Sequence, residues 1–303
     1  MNVKHFASLM MTVCFIPLLR AQGTFWDHPD AYLGQTRPSD MPKIFAPGLL
    51  ADSGMFVLGR IAFSHDGTEI YYSQNNSWDS SEYAKIKMIR YADQKWGKPV
   101  TLSEHFVTPT LSIDGNVMYM RKANNMNNVW RSSRNAGSWS APIAFIEKTF
   151  GVYDFMPTIS GNAYVGSDPS PEDVKSGSTY AFSLLTFTNG DVSVKSLGRP
   201  LNGPGFNGDL FVAPDESYMI VSANETKTFE SELYISFRQA DSTWRAPVSL
   251  GSKINNGLAH RWGQYVTPDQ KFLFYCHGTS EKDCAIWWVR FDSLLTSLTP
   301  KKG

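Results

Sequence analysis

One short phrase recurs along the 303 residues and limits what the chain can become. It is clearest as "VAPDESYMIVS" (212–222) and "VTPDQKFLFYC" (266–276), and looser as "FSHDGTEIYYS" (63–73) and "LSIDGNVMYM" (111–120). Each copy is an apolar strand, a tight turn rich in Asp and Gly, and a second strand carrying aromatics. Turn positions fall at Asp66, Asp114, Gly161, Asp215 and Asp269, at intervals of 48, 47, 54 and 54 residues. That interval is the size of one four-stranded sheet of a β-propeller. A third strand follows in each unit, at 84–92, 127–133, 181–188, 232–239 and 285–292. All five are rich in β-branched and aromatic residues and too short for helices.

The fourth strand has its own frame. Trp96, Pro99 and Leu102 recur in spacing as Trp139, Pro142 and Phe145, and as Trp244, Pro247 and Leu250. Proline cannot donate to a ladder, so this strand belongs at the outer edge of a blade. The third unit blurs the frame and lacks the Trp. After 285–292 too little chain is left for a fourth strand in the fifth unit, whereas "KIFAPGLLADSG" (43–54) matches "WRAPVSLGSKINNG". The N-terminal part is therefore expected to supply the outer strand of the last blade, which leaves no open sheet edge. The expectation is an all-β, five-bladed propeller, rather than one of six blades, spanning 43–298. A lead-in at 22–42 precedes it and a tail at 299–303 follows.

Residues 1–21, "MNVKHFASLMMTVCFIPLLRA", join an early Lys to an apolar middle and end on a small residue. This reads as a secretory signal peptide, too short to span a membrane, so the protein is expected to be periplasmic or secreted. Lys plus Arg equals Asp plus Glu, 28 each, which argues against a nucleic-acid partner. In an exported chain Cys276 and Cys284, at the end of one strand and the start of the next, are candidates for a disulfide.

The Pro-Asp turns, the Trp-x-x-Pro-x-x-Leu edges and "ELYISFRQADSTWRAPVSLGSKINN" resemble the bacterial WD40-like propeller repeats related to the periplasmic propeller TolB. The resemblance covers residues 43–292. It implies an exported propeller and assigns no chemistry, because members of that family mostly lack any. TolB-type propellers have six blades, and the count of five departs from that. The third unit also lacks the turn Asp at "ISGNAY", which leaves the geometry of that blade open.

The turn aspartates are expected to cap their own turns. "GPGFNG" (203–208) satisfies a phosphate-loop pattern but leads into a strand, not a helix, so it reads as an inter-blade connection. No nucleophile elbow, zinc-ligand pair or Cys-x-x-Cys cluster occurs, and neither a metal nor a cofactor is expected. One constellation survives. Residues just before each innermost strand should ring one mouth of the central channel, which gathers Arg60, His105, Tyr153, Asp154, Asp209, His260, Arg261 and Trp262. Polar groups and aromatics converging on a concavity mark a binding site. The competing reading is that half of them serve inter-blade hydrogen bonds or face solvent. Two arginines and two histidines suggest an anionic glycan, with a protein or peptide as the other ligand class. An enzymatic alternative is a polysaccharide lyase using Arg60 or Arg261 with His105, His260 or Tyr153, or a glycosidase using Asp154 and Asp209.

Overall fold

The computed structural model describes residues 24–77, 82–223, 230–280 and 282–300. The leader at 1–21 and the last three residues of the tail lie outside them. Five small antiparallel sheets form a ring, each one blade. The innermost strands are Phe56–Phe63, Phe106–Leu111, Val152–Pro157, Phe206–Val212 and His260–Val266. From each, a tight hairpin turn leads to the second strand, and the third strand pairs on its far side. The ring closes as the repeat requires: Lys43 pairs with Trp288 and Ile44 with Trp287, so the N-terminal strand is the outer strand of blade 5.

The turns explain why the phrase repeats. Asp66 accepts from Ser64 Oγ at 2.6 Å and from the Thr68 amide at 3.0 Å. Asp114, Asp215 and Asp269 cap their turns in the same way. The residue after each turn Asp adopts a left-handed backbone, with φ of 79° at Gly67, 72° at Gly115, 60° at Glu216 and 58° at Gln270.

Blade 3 is a complete four-stranded sheet, and its missing Asp has a substitute. Ser160 stands in the Asp slot, and the carboxylate of Glu216 in blade 4 accepts from both Thr158 Oγ1 (2.9 Å) and Ser160 Oγ. Tyr164 and Arg238 donate to the same carboxylate. A matching cluster joins blades 1 and 2, where Arg134 and Tyr71 meet Glu69.

Pro99 and Pro142 each fall between two pieces of a broken outer strand, Lys95–Trp96 and Val100–Glu104 in blade 1, and Ser138–Trp139 and Ile143–Glu147 in blade 2. The tryptophans turn inward. Trp244 is buried against Tyr164, and Trp139 Nε1 reaches Tyr71 Oη at 3.3 Å, so these side chains fill seams between blades instead of decorating the rim.

The lead-in fills the seam between blades 5 and 1. Trp26 and Tyr32 pack among Phe63, Phe272 and Trp288. Tyr32 Oη donates to Asp269 at 2.8 Å, and Trp26 Nε1 to the His65 carbonyl at 3.1 Å. Among the described residues the α-helices are a C-terminal one, Asp292–Leu298, and one turn, Pro171–Lys175, inserted between the second and third strands of blade 3, and the lead-in carries the 3-10 turns Phe25–Asp27 and Ala31–Gly34. The inserted turn carries a capping box from Ser170 and Asp173, and the strand pattern gave no sign of it.

Candidate functional site: the two ends of the channel

All five innermost strands slip register at the same height. The bulges lie between Leu58 and Ala62, Val107 and Thr110, Tyr153 and Met156, Phe206 and Leu210, and Trp262 and Tyr265. A bulge kinks its strand and re-aims the side chains beside it. Left-handed backbone marks four of them, at Gly59, Thr108, Asp154 and Gly263. At Gly263 no other residue fits, because a Cβ would sit 2.3 Å from the backbone carbon of Gly59 in the next blade.

What the bulges aim at the axis is a plug. Arg60 is fully buried, and its guanidinium touches each of the other four blades. It donates to Thr110 Oγ1 (3.2 Å), the Leu210 carbonyl (2.8 Å) and the Gln264 carbonyl (3.4 Å), and it lies 3.7 Å from Asp154 Oδ1. Asp209 Oδ2 accepts from the Gly263 amide at 2.8 Å. Gln264 Nε2 donates to the Asp209 and Ile220 carbonyls. Burial, reinforced by the neighbouring Asp209 charge and opposed by Arg60, pushes the Asp154 carboxyl up to about 8. At neutral pH the protonated form of Asp154 is therefore favoured in the plug. Asp154 Oδ2 and Asn128 Oδ1 have no hydrogen-bond partner among the described residues, and both residues line a hollow of about 10 Å³.

The structure divides the eight residues singled out in the sequence. Arg60, Asp154 and Asp209 meet on the axis. Arg261 is buried elsewhere, with its donors on the carbonyls of Ser231, Ile254, Asn256, Gly257 and Ala259, where it pins the loop into blade 5. His260 and Trp262 are buried, with their rings 4.2 Å apart. Burial lowers His260 to about 4, and likewise His277, so both are neutral at physiological pH. Tyr153 is half-buried beside Tyr180, Asp209 is half-buried, and His105 is exposed on a left-handed backbone with φ 68°. The anionic-ligand expectation drew on two arginines, and both are enclosed.

Cys276 and Cys284 are buried thiols in this structure, Sγ to Sγ 3.0 Å, and both are directed at the Val57 carbonyl of blade 1. The bridge expected from the sequence is not formed here, although the pair is adjacent as the strand register requires. Among the described residues no group of three or more His, Cys, Asp or Glu could hold a metal ion.

The opposite end of the channel differs in chemistry. Below the plug, the ends of the innermost strands and the turns that follow enclose a cavity of about 260 Å³, with walls from all five blades. The sequence reading missed it, because its lining residues look like ordinary strand-end core.

No family model and no curated protein matches the chain. Solved β-propellers resemble it at low identity. TolB from Acinetobacter baumannii is 14% identical with a TM-score of 0.41, over 63% of this chain and 43% of that one. The putative TolB from Agrobacterium tumefaciens is 10% identical with a TM-score of 0.42, over 73% and 69%. A putative 6-phosphogluconolactonase from Bacteroides uniformis is 12% identical with a TM-score of 0.38, over 71% and 76%. The chain spans less than two thirds of the Acinetobacter TolB, and the activities of these proteins remain theirs. Among the described residues no helix is long and apolar enough to cross a membrane.

Proposed function

We propose that this is an exported binding propeller without catalysis, which recognises a glycan or a protein segment at the polar mouth. The observation that carries the reading is the burial of Asp154, one of the two axial carboxyls. A glycosidase needs its two carboxyl groups on either side of a glycosidic bond. Asp154 and Asp209 instead face each other and Arg60, and the hollow lined by Asp154, about 10 Å³, has room for roughly one water. A saccharide ring does not fit there. The lyase alternative loses its cation in the same way, since both Arg60 and Arg261 spend their donors on internal oxygens.

Recognition then rests on the less buried of the singled-out groups at this end, exposed His105 and half-buried Tyr153. With the guanidiniums enclosed, a neutral glycan or a peptide suits this surface better than a polyanion. Export rests on residues 1–21, and N-terminal sequencing of protein recovered from the periplasm or medium should begin near Gln22. The binding test is a glycan and peptide array with the mature protein, followed by His105→Ala and Tyr153→Ala. At least tenfold weaker binding in either variant is expected. Binding unchanged in both moves the site elsewhere, and release of reducing or unsaturated sugar ends by the wild type overturns the non-catalytic reading.

A further inference from the structure

The geometry points to a second binding site, the cavity below the plug, for one uncharged apolar molecule about two fused rings in size. Phe63, Leu111, Met156, Phe211 and Tyr265 wall it, one from each blade, so an occupant is touched from every side. Its floor is closed: Thr110 lines the cavity and accepts the hydrogen bond from Arg60 Nη1, which keeps the guanidinium occupied. No Asp, Glu, Lys or Arg lines it among the described residues.

Size sets the ligand class. An apolar cavity of about 150 Å³ stays dry and accepts benzene. At about 260 Å³ this one suits a bicyclic or alkyl-substituted ring. At the rim Ile113 is 41% and Ile159 67% exposed, although both sit on turns whose neighbours are capped and paired. Exposed apolar tips around an apolar hollow extend the surface available to a ligand.

A free small molecule fits better than a peptide for two reasons. Each innermost strand is paired on one side only, but in four of the turns at the rim an amide is already held by Asp66, Asp114, Asp215 or Asp269, so those amides are not open to a peptide backbone. A peptide backbone pushed into the hollow would bury amide groups against carbon and leave them unpaired, which is unfavourable.

The experiment is fluorescence titration of the mature protein with N-phenyl-1-naphthylamine, an uncharged probe whose emission rises in apolar surroundings. One saturable site per chain is expected. Leu111→Trp, which fills the hollow, and Ile159→Asp, which places a charge on its rim, should each weaken the probe at least tenfold. The anionic analogue 1-anilinonaphthalene-8-sulfonate, titrated at pH 8, above the range in which a histidine such as His65 ordinarily carries charge, should bind at least tenfold more weakly than the neutral probe, since no Lys or Arg lines the walls. Circular dichroism and melting of both variants verify that they fold; if Leu111→Trp does not, the exposed Ile159→Asp carries the test. Absence of saturable binding, equal affinity for the sulfonate, or full affinity in a folded variant overturns the proposal.

Discussion

Arg60 shows how little a single residue announces in a sequence. An arginine one position after a glycine in a strand reads the same whether it faces solvent or the axis of a ring, and only the bulge at Gly59 decides. The same holds for Asp154, which looked like half of a catalytic pair and is a protonated strut. Its raised pKa has a consequence for stability. The folded protein keeps a proton that the unfolded chain releases above its ordinary value of 3.8. The stability from this site is therefore full below that pH and is lost as pH rises through about 8. His260 and His277 act in the other direction. Folding lowers both to about 4 from 6.5, so their contribution is full above 6.5 and is lost as pH falls through 4. Thermal midpoints measured from pH 4 to 9 should pass through a maximum between these limits. Asp154→Asn, which removes the titrating carboxyl at similar size, should flatten the alkaline limb, and His260→Asn the acid limb. An alkaline limb unchanged in Asp154→Asn would remove the proton from the plug.

At the scale of elements the repeat was legible because turn chemistry is local. An Asp that caps one amide and one nearby hydroxyl, with a residue of positive φ after it, needs no distant partner, so four of the five turns could be read directly. The fifth could not, because its carboxylate arrives from another blade. Glu216 shows why: burial pushes it up, yet hydrogen bonds from Ser160, Thr158 and Tyr164 and the Arg238 charge hold it below the usual range. Glu216→Gln should therefore cost more than an ordinary surface change, about 1–3 kcal/mol in chemical denaturation, by leaving buried donors short of an acceptor. A loss below about 0.5 kcal/mol would make the contact incidental. The seam at Cys276 and Cys284 offers a second measurement. Protein folded under oxidising conditions should show no free thiol in denaturant and gain about 2–3 kcal/mol over the reduced form, since the loop closed is short. Two titratable thiols from exported protein would leave the pair reduced, as it stands in this structure.

Across the whole molecule, what the sequence revealed was the ring, and what it hid was where the ring is solid. Blade count and closure follow from strand periodicity and from proline at outer edges. The plug and the apolar hollow depend on five segments about fifty residues apart meeting at one height, which no local pattern encodes. The lead-in was hidden for a related reason: its aromatics, Trp26 and Tyr32, sit in irregular turns with Tyr32 and Leu33 left-handed, so no strand or helix period marks them as core. Yet they fill the one seam that also depends on a borrowed strand. Closure then implies a sharp asymmetry between two truncations. A chain beginning at residue 24 keeps every described contact and should melt as a chain beginning at residue 22 does. A chain beginning at residue 51 loses the strand on Trp287 and Trp288, buried Phe45 and Leu50, and the Trp26 and Tyr32 filling, all at the junction of blades 5 and 1. The strand carrying Trp287 and Trp288 becomes an open edge, and a ring with one unsealed seam has no neighbouring blade to take up the exposed apolar surface. The expected outcome is loss of cooperative unfolding and aggregation by size-exclusion chromatography, not a smaller folded propeller. A truncation at 51 that stays monomeric and melts within a few degrees of the longer chain would show that blades 1 and 5 hold without the borrowed strand.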